Sequence, residues 1–153
     1  MYKKMLIPTD GSDFSRTAAL AGVEFARQLK AEIIGVFVAP EFPYPIYVDV
    51  LPVTYMSDPD YQQSMQRAGE SYLKHVQDAA HAAGLTFNSK VVFSDLTAKA
   101  IVHTAEETHC DLIFMGSHGR SGWGQLLLGS VTAKVLSSCE IPVLVHRIKK
   151  NTN

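Results

Sequence analysis

Residues 111–132 read DLIFMGSHGRSGWGQLLLGSVT, in which a short apolar run opens into a glycine-rich stretch and then into a helix. The run from Asp111 to Met115 has the length and apolar character of a buried strand. Five glycines occupy the fourteen positions from Gly116 to Gly129, and they allow backbone N–H groups to approach a ligand closely. Ser130 then begins a helix whose unpaired N–H groups attract anions. This stretch predicts a strand, a phosphate-binding loop and a helix in succession.

The same alternation of short apolar runs with longer amphipathic stretches extends along the rest of the chain. The predicted strands are Lys4–Pro8, Glu32–Val38, Leu85–Phe93, Asp111–Met115 and Pro142–His146, and the predicted helices are Asp13–Lys30, Met65–Ala83, Thr97–Thr108 and Ser130–Ser138. Strands that alternate with helices favour a parallel sheet with right-handed crossovers. The sequence therefore predicts one α/β domain, a doubly wound (Rossmann-like) five-stranded parallel sheet with helices on both faces.

The segment 39–60 interrupts this alternation. Tyrosines are interspersed there with five prolines, Pro40, Pro43, Pro45, Pro52 and Pro59. Because prolines exclude regular helix, we predict an irregular Pro/Tyr-rich insert after the second strand. Its aromatic side chains fit either a lid or partner surface, or a local patch folded against the domain.

Composition restricts the class of protein. The 153 residues include 14 basic and 15 acidic side chains, a formal net charge of −1, so we expect no nucleic-acid partner. No apolar run approaches the ~20 residues that span a bilayer, and the chain reaches Pro8 too early for a secretory signal. Two cysteines, Cys110 and Cys139, suit a reducing compartment. We expect a cytoplasmic protein without membrane insertion.

The doubly wound fold itself predicts where a ligand binds. Ligands of doubly wound sheets bind beyond the carboxyl ends of the strands, where the strand order reverses. Two polar loops should meet there, 8–12 after the first strand and 116–119 after the fourth. Asp10 fits either a ribose or metal ligand or an Asx turn at the helix start. His118 is a candidate general base, but no nucleophile can be paired with it, so we name no catalytic residue.

The glycine loop matches neither of two common phosphate motifs. Gly122 and Gly124 are followed by Leu127 where a dinucleotide fingerprint has its third glycine. Gly124 and Gly129 have the spacing of a P-loop, but Ser130 replaces the lysine. Because that lysine stabilises a transferring phosphoryl group, its absence predicts low rates for any phosphoryl transfer.

The spacing from Gly116 to Ser130, G-x2-G-x9-G-S, resembles the nucleotide-binding pattern of the universal stress protein family. The sequence PTDGS at 8–12 resembles that family's first strand end, and IPVLV at 141–145 resembles its last strand. The resemblance covers a domain of residues 1–148 and leaves 149–153 as a tail. It implies the strand order 3-2-1-4-5, a homodimer joined through strand five (Pro142–His146), and the ATP-binding subclass.

The resemblance also implies a site for an adenine nucleotide, ATP or AMP, with Mg²⁺ bridging the phosphates of ATP. Two departures affect the adenine side: Ala39–Pro40 lacks the acidic residue common after strand two, and Ser94 stands where glycine is frequent. The implied cofactor-binding residues are Pro8, Thr9, Asp10, Val38, Gly116, Ser117, His118, Gly119, Arg120, Gly122, Gly129, Ser130, Val131 and Thr132.

These features favour a nucleotide-responsive dimeric regulator in the stress response, whose surface is read by an unknown protein partner. Two alternatives remain open. One is a slow ATPase or an enzyme that phosphorylates itself at Ser130 or a neighbouring residue. The other is an interaction scaffold that works without nucleotide, in which the glycines only shape a turn.

Overall fold

The computed structural model describes residues 1–41, 58–118 and 128–148. The strands within these ranges are β1 (Lys4–Pro8), β2 (Glu32–Ala39), β3 (Phe87–Phe93), β4 (Leu112–Gly116) and β5 (Val143–His146). The helices are α1 (Asp13–Leu29), α2 (Asp58–Ala82), α3 (Thr97–Glu107) and α4 (Ser130–Ser138). The elements alternate along the chain as predicted.

The five strands form one sheet in the order β3-β2-β1-β4-β5, and every adjacent pair is parallel. In the central strand, Met5 pairs with Ile33 of β2 on one side and with Leu112 of β4 on the other. The chain adds strands outward from β1 to β3 and then returns to the opposite side of β1. The order 3-2-1-4-5 is therefore confirmed, and its switch point lies between β1 and β4.

Alternate residues of the central strands are buried against opposite helix layers. Met5 and Ile7 belong to an apolar cluster that includes residues of α1 and α2. Leu6, between them, belongs to a second cluster with residues of α3 and α4. Each of these three side chains is at most 1% exposed, and burying such a side chain contributes about 1.5–3 kcal/mol. The predicted helices on both faces are confirmed. In the parts of the chain described, no helix has the length and apolar character needed to cross a membrane.

Local capping residues account for the start of α1 and the end of α2. Ser12 caps α1, because its Oγ accepts the N–H of Ser15 at 3.2 Å. Gly84 follows α2 with φ of +72°, which allows the N–H of Leu85 to donate to the carbonyl of Ala80 at 2.9 Å.

The structure corrects the predicted insert at both ends. Ala39 still belongs to β2, where it pairs with Phe93, and α2 begins at Asp58, which puts Pro59 inside the helix. Proline is tolerated there because its φ is already helical and an N–H in the first turn has no intrahelical partner. The prediction of no regular helix is therefore wrong for 58–60, and residues 42–57 lie outside the described ranges.

Three predicted strands began too early. β3 begins at Phe87, two residues after the predicted start, while β4 begins at Leu112 and β5 at Val143, each one residue later than predicted. Pro142 has no N–H to donate to a ladder, but its carbonyl still accepts the N–H of Ile113 at 2.9 Å. The strand boundaries therefore shift without any change in the order of elements.

Gly69 sets how closely α2 approaches the sheet. A Cβ at this position would lie 2.6 Å from Cδ1 of Phe37 and 2.7 Å from Cγ2 of Val91, nearer than carbon atoms can pack. Phe37 is 5% exposed and makes an edge-to-face contact with Tyr72, with ring centroids 5.2 Å apart. Any larger residue at position 69 would push α2 away from β2 and β3.

Gly69→Ala should therefore destabilise the fold by about 1–3 kcal/mol through overpacking. Alanine is favoured over glycine inside a helix by about 1 kcal/mol, so helix propensity alone would make Gly69→Ala stabilising. A loss of stability would therefore report the close contact. Ser71→Ala, at an exposed position of the same helix, is the matched control and should change stability by less than about 0.5 kcal/mol. Urea unfolding followed by circular dichroism measures both. A Gly69→Ala protein at least as stable as the parent would contradict the close contact.

Candidate functional site

A cleft of about 480 Å³ opens at the carboxyl ends of the strands, at the switch point between β1 and β4. The predicted meeting of the two polar loops is confirmed, since residues 8–10 and Gly116, His118 and 129–132 all line this cleft. The remaining lining residues are Ser15, Val36, Phe37, Val38, Pro40, Met65, Ala68, Tyr72, Thr97, Ile101 and Met115.

The structure divides the predicted cofactor-binding residues into three groups. Ser117 is 4% exposed and is not among the residues that line the cleft. Gly119, Arg120 and Gly122 fall outside the described ranges. The other ten line the cleft: Pro8, Thr9, Asp10, Val38, Gly116, His118, Gly129, Ser130, Val131 and Thr132.

Sequence reasoning missed the contribution of α2 and α3 to the cleft. Met65, Ala68 and Tyr72 follow the three- and four-residue spacing of a buried helix face. That spacing does not reveal that these side chains line a cavity. Thr97 and Ile101 lie in the first two turns of α3 in the same way. The site is thus wider than the two loops, and its added wall is largely apolar.

The start of α4 gives one side of the cleft backbone donors. Gly129 precedes the helix in extended conformation, with φ of −57° and ψ of 150°, and no side chain caps the helix. The first helical hydrogen bond runs from the N–H of Ala133 to the carbonyl of Gly129 at 3.0 Å. The N–H groups of residues 130–132 therefore have no intrahelical acceptor, and with the helix dipole they attract an anion.

Backbone hydrogen bonds hold this donor group against β4. The N–H of Gly129 donates to the carbonyl of Ser117 at 2.8 Å, and the N–H of Ser117 donates to the carbonyl of His146 at 2.9 Å. The hydroxyl of Thr132 donates to the carbonyl of Gly116 at 3.0 Å. Both ends of the glycine loop are thus fixed to the sheet, and the backbone of Ser117 links the start of α4 to β5.

The imidazole of His118 has one nitrogen satisfied and one open. Nδ1 lies 2.9 Å from the hydroxyl oxygen of Ser117. Nε2 is buried and has no hydrogen-bond partner in the described structure, a costly state unless a ligand or solvent occupies the site. Because Ser117 does not line the cleft, this serine–histidine pair offers no nucleophile to a substrate, and His118 is better suited to donate or accept one hydrogen bond.

The turn after β1 gives the opposite side of the cleft oxygen acceptors. Asp10 forms the Asx turn that the sequence allowed, with Oδ1 accepting the N–H of Ser12. All four N–H groups of residues 9–12 are used within the protein: Thr9 N–H to Val36 O at 2.9 Å, Asp10 N–H to Ser15 Oγ at 3.0 Å, Gly11 N–H to Thr9 Oγ1 at 3.4 Å, and Ser12 N–H to Asp10 Oδ1 at 2.9 Å. The turn therefore offers an incoming ligand acceptors rather than backbone donors.

Tyr72 connects the α2 wall to this turn. Gly11 has φ of +79°, and a Cβ there would lie 2.5 Å from the Tyr72 ring, so the ring packs directly on the glycine backbone. Together with Met65 and Ala68 it forms an apolar wall suited to a flat ring system. In the ranges the structure covers, no group of three or more His, Cys, Asp or Glu residues could hold a metal ion.

This polarity predicts where an anion binds. Titration with inorganic phosphate should shift the backbone amide resonances of residues 130–132 in an ¹H–¹⁵N spectrum, because their N–H groups have no acceptor within the helix. The amides of residues 10–12 should move little, because their donors are already used. Chloride at matched ionic strength is the control. Larger shifts at 10–12 than at 130–132 would contradict the assigned polarity.

Comparison with known proteins identifies the family. Residues 1–147 match the profile described as the universal stress protein family. Universal stress protein MJ0531 of Methanocaldococcus jannaschii is 34% identical over 98% of this chain and 85% of its own length. The solved structure of MJ0577 has a TM-score of 0.80 at 26% identity, covering 99% of both chains.

A second solved structure is also similar to this chain. It is described as a universal stress protein in complex with cAMP, and it has a TM-score of 0.66 at 25% identity, covering 95% of this chain and 97% of that one. The match of sequence profile, relatives and fold over nearly the whole length leads to one conclusion. This chain belongs to the universal stress protein family.

Proposed function

We propose that this protein binds an adenine nucleotide, ATP or AMP, in the cleft and acts as a nucleotide-responsive dimeric regulator in the stress response. The observation that carries the proposal is that one cleft is lined both by the backbone donors of residues 130–132, which have no intrahelical acceptor, and by the acceptor turn at 9–12. A nucleotide has matching chemistry, an anionic end and a hydroxyl-bearing sugar. The relative solved with cAMP, itself an adenine nucleotide, supports this ligand class.

The polarity of the cleft sets the orientation of the ligand. The phosphates lie at the start of α4, where the backbone N–H groups and the hydroxyl of Ser130 donate to them. Nε2 of His118, which has no hydrogen-bond partner among the described residues, donates a further hydrogen bond to an anionic oxygen. The sugar hydroxyls donate to the Asp10 carboxylate, and the base lies on the apolar wall of Met65 and Tyr72. When ATP is the ligand, its phosphate oxygens hold Mg²⁺.

Ser130 offers a test that separates its backbone donor from its side chain. Proline at the first helical position is tolerated, and Gly129 already has the extended conformation required before proline. Ser130→Pro therefore removes the N–H and the hydroxyl without breaking α4. Hydrogen bonds to charged groups contribute about 1.5–3 kcal/mol, so ATP affinity measured by calorimetry should fall about tenfold to a hundredfold.

Ser130→Ala is the matched control, because it removes only the hydroxyl, and it should bind ATP more tightly than Ser130→Pro. Equal affinities for the two variants would show that the backbone donor does not contact the ligand. Comparing ATP with AMP reports how much the outer phosphates contribute. If the parent protein binds neither nucleotide, the proposal fails and the interaction scaffold becomes the better reading.

The dimer is proposed to form through β5. This strand pairs with β4 on one side and ends the sheet on the other, where its backbone groups can pair with a second copy. Val143, Leu144 and Val145 remain only half-buried. The first three residues of the strand are all apolar, and its only ionisable side chain is His146 at the carboxyl end. An edge with this apolar character favours association over exposure to water.

Val145→Lys should therefore dissociate the dimer, because charged side chains on an edge strand oppose strand pairing. Sedimentation velocity should show a mass near 16.8 kDa for this variant and about twice that for the parent protein. Leu20→Lys replaces a leucine of α1 that is already 43% exposed and should remain dimeric. A parent protein that sediments as a monomer would remove β5 pairing from the proposal.

A further inference from the structure

We infer that Ser15 is a positioning residue: its buried hydroxyl holds the β1–α1 turn so that the Asp10 carboxylate is presented to a hydroxyl-bearing ligand. The inference rests on the proposed function, because it deepens the account of the same cleft. It assigns Ser15 no contact with phosphate. Its effect on binding is exerted through Asp10.

Ser15 is unusual in where its hydroxyl makes hydrogen bonds. A serine inside a helix ordinarily bonds back to the carbonyl four residues earlier or faces solvent. The Oγ of Ser15 instead donates to Oγ1 of Thr9 at 2.9 Å and accepts the N–H of Asp10 at 3.0 Å. The hydroxyl therefore connects the first turn of α1 to Thr9 and Asp10 in the turn that precedes the helix.

Two hydrogen bonds interlock on either side of Asp10. The N–H of Asp10 is held by Ser15, and Oδ1 of Asp10 is held by the N–H of Ser12. The first bond fixes the backbone at Asp10, and the second fixes its side chain. Because both bonds start from the same residue, releasing the backbone also displaces the carboxylate.

Because Ser15 and Thr9 are buried, losing either of their hydrogen bonds would cost stability. Ser15 is 8% exposed and Thr9 is 6% exposed, and polar groups in such places are costly to leave without partners. Capping α1 does not require the Ser15 hydroxyl, since the cap is formed by Oγ of Ser12 and the N–H of Ser15. The Ser15 hydroxyl is therefore not needed to cap the helix, and its hydrogen bonds stabilise the turn that lines the cleft.

The test compares Ser15→Ala with Thr17→Ala, a control on the same helix that removes an exposed hydroxyl bonded only to the carbonyl of Asp13. Calorimetry with ATP and with inorganic tripolyphosphate separates sugar from phosphate recognition. Ser15→Ala should weaken ATP binding about tenfold and leave tripolyphosphate binding unchanged. Thr17→Ala should change neither affinity.

A double-mutant cycle tests whether Ser15 acts through Asp10. In an Asp10→Ala background, adding Ser15→Ala should have no further effect on ATP affinity. Equal losses for ATP and tripolyphosphate, or a full further loss in the Asp10→Ala background, would overturn the inference. Thr9→Val, which keeps the shape of the side chain, is a second variant in case Ser15→Ala unfolds. It removes the acceptor of the Ser15 hydroxyl and should likewise weaken ATP but not tripolyphosphate.

A ligand-free measurement distinguishes failure of this inference from failure of the proposed function. Amide hydrogen exchange at Ser12 should accelerate in Ser15→Ala and not in Thr17→Ala, because the Asp10 carboxylate that accepts this N–H is no longer aligned. If the parent protein binds no ATP, the nucleotide proposal fails while exchange still decides whether Ser15 holds Asp10. Unchanged exchange at Ser12 would overturn the positioning role.

Discussion

The parallel pairing of β1 with β4 is the constraint on which the site depends. Met5 pairs with Leu112 and Leu6 with Ile113, so the carboxyl ends of two strands far apart in sequence lie side by side. The turn after β1 and the loop after β4 are thereby brought to one edge of the sheet. A cleft opens there because the connections from these strands leave toward opposite faces, α1 on one and α4 on the other.

The two walls of this cleft complement each other because their backbones use hydrogen bonds differently. The N–H groups of the turn at 9–12 are all used within the protein, and the turn lines the cleft with oxygen atoms that can accept hydrogen bonds. The start of α4 does the opposite, since a helix cannot satisfy its first N–H groups internally and no side chain caps it. A ligand with acceptors at one end and donors at the other fits this arrangement. Either wall alone would bind polar groups with little selectivity.

Much of the fold followed from local signals in the sequence. The alternation of apolar runs and amphipathic stretches predicted the order of strands and helices seen in the described residues, and local capping by Ser12 and Gly84 accounts for the start of α1 and the end of α2. Pro59 misled, because proline disfavours a helix interior and is tolerated in the first turn, and the sequence does not show where a turn begins. The glycine pattern and PTDGS located the two loops, but not the apolar wall. Met65, Ala68 and Tyr72 have the spacing of any buried helix face, and only packing shows that they face a cavity.

The sequence by itself determined the order of elements, the doubly wound class and the loops that carry the polar groups. These properties depend on residues close together in the chain, through periodicity, capping and turn chemistry. Only the tertiary structure decided which N–H groups are already used and which remain open. It also decided that Ser15 reaches back to Asp10, that Ser117 serves the framework while His118 faces the cleft, and that Gly69 brings α2 close enough to form a wall. Those outcomes depend on distances between residues remote in sequence or on the direction of a side chain, and neither is recorded in the identity of the residues.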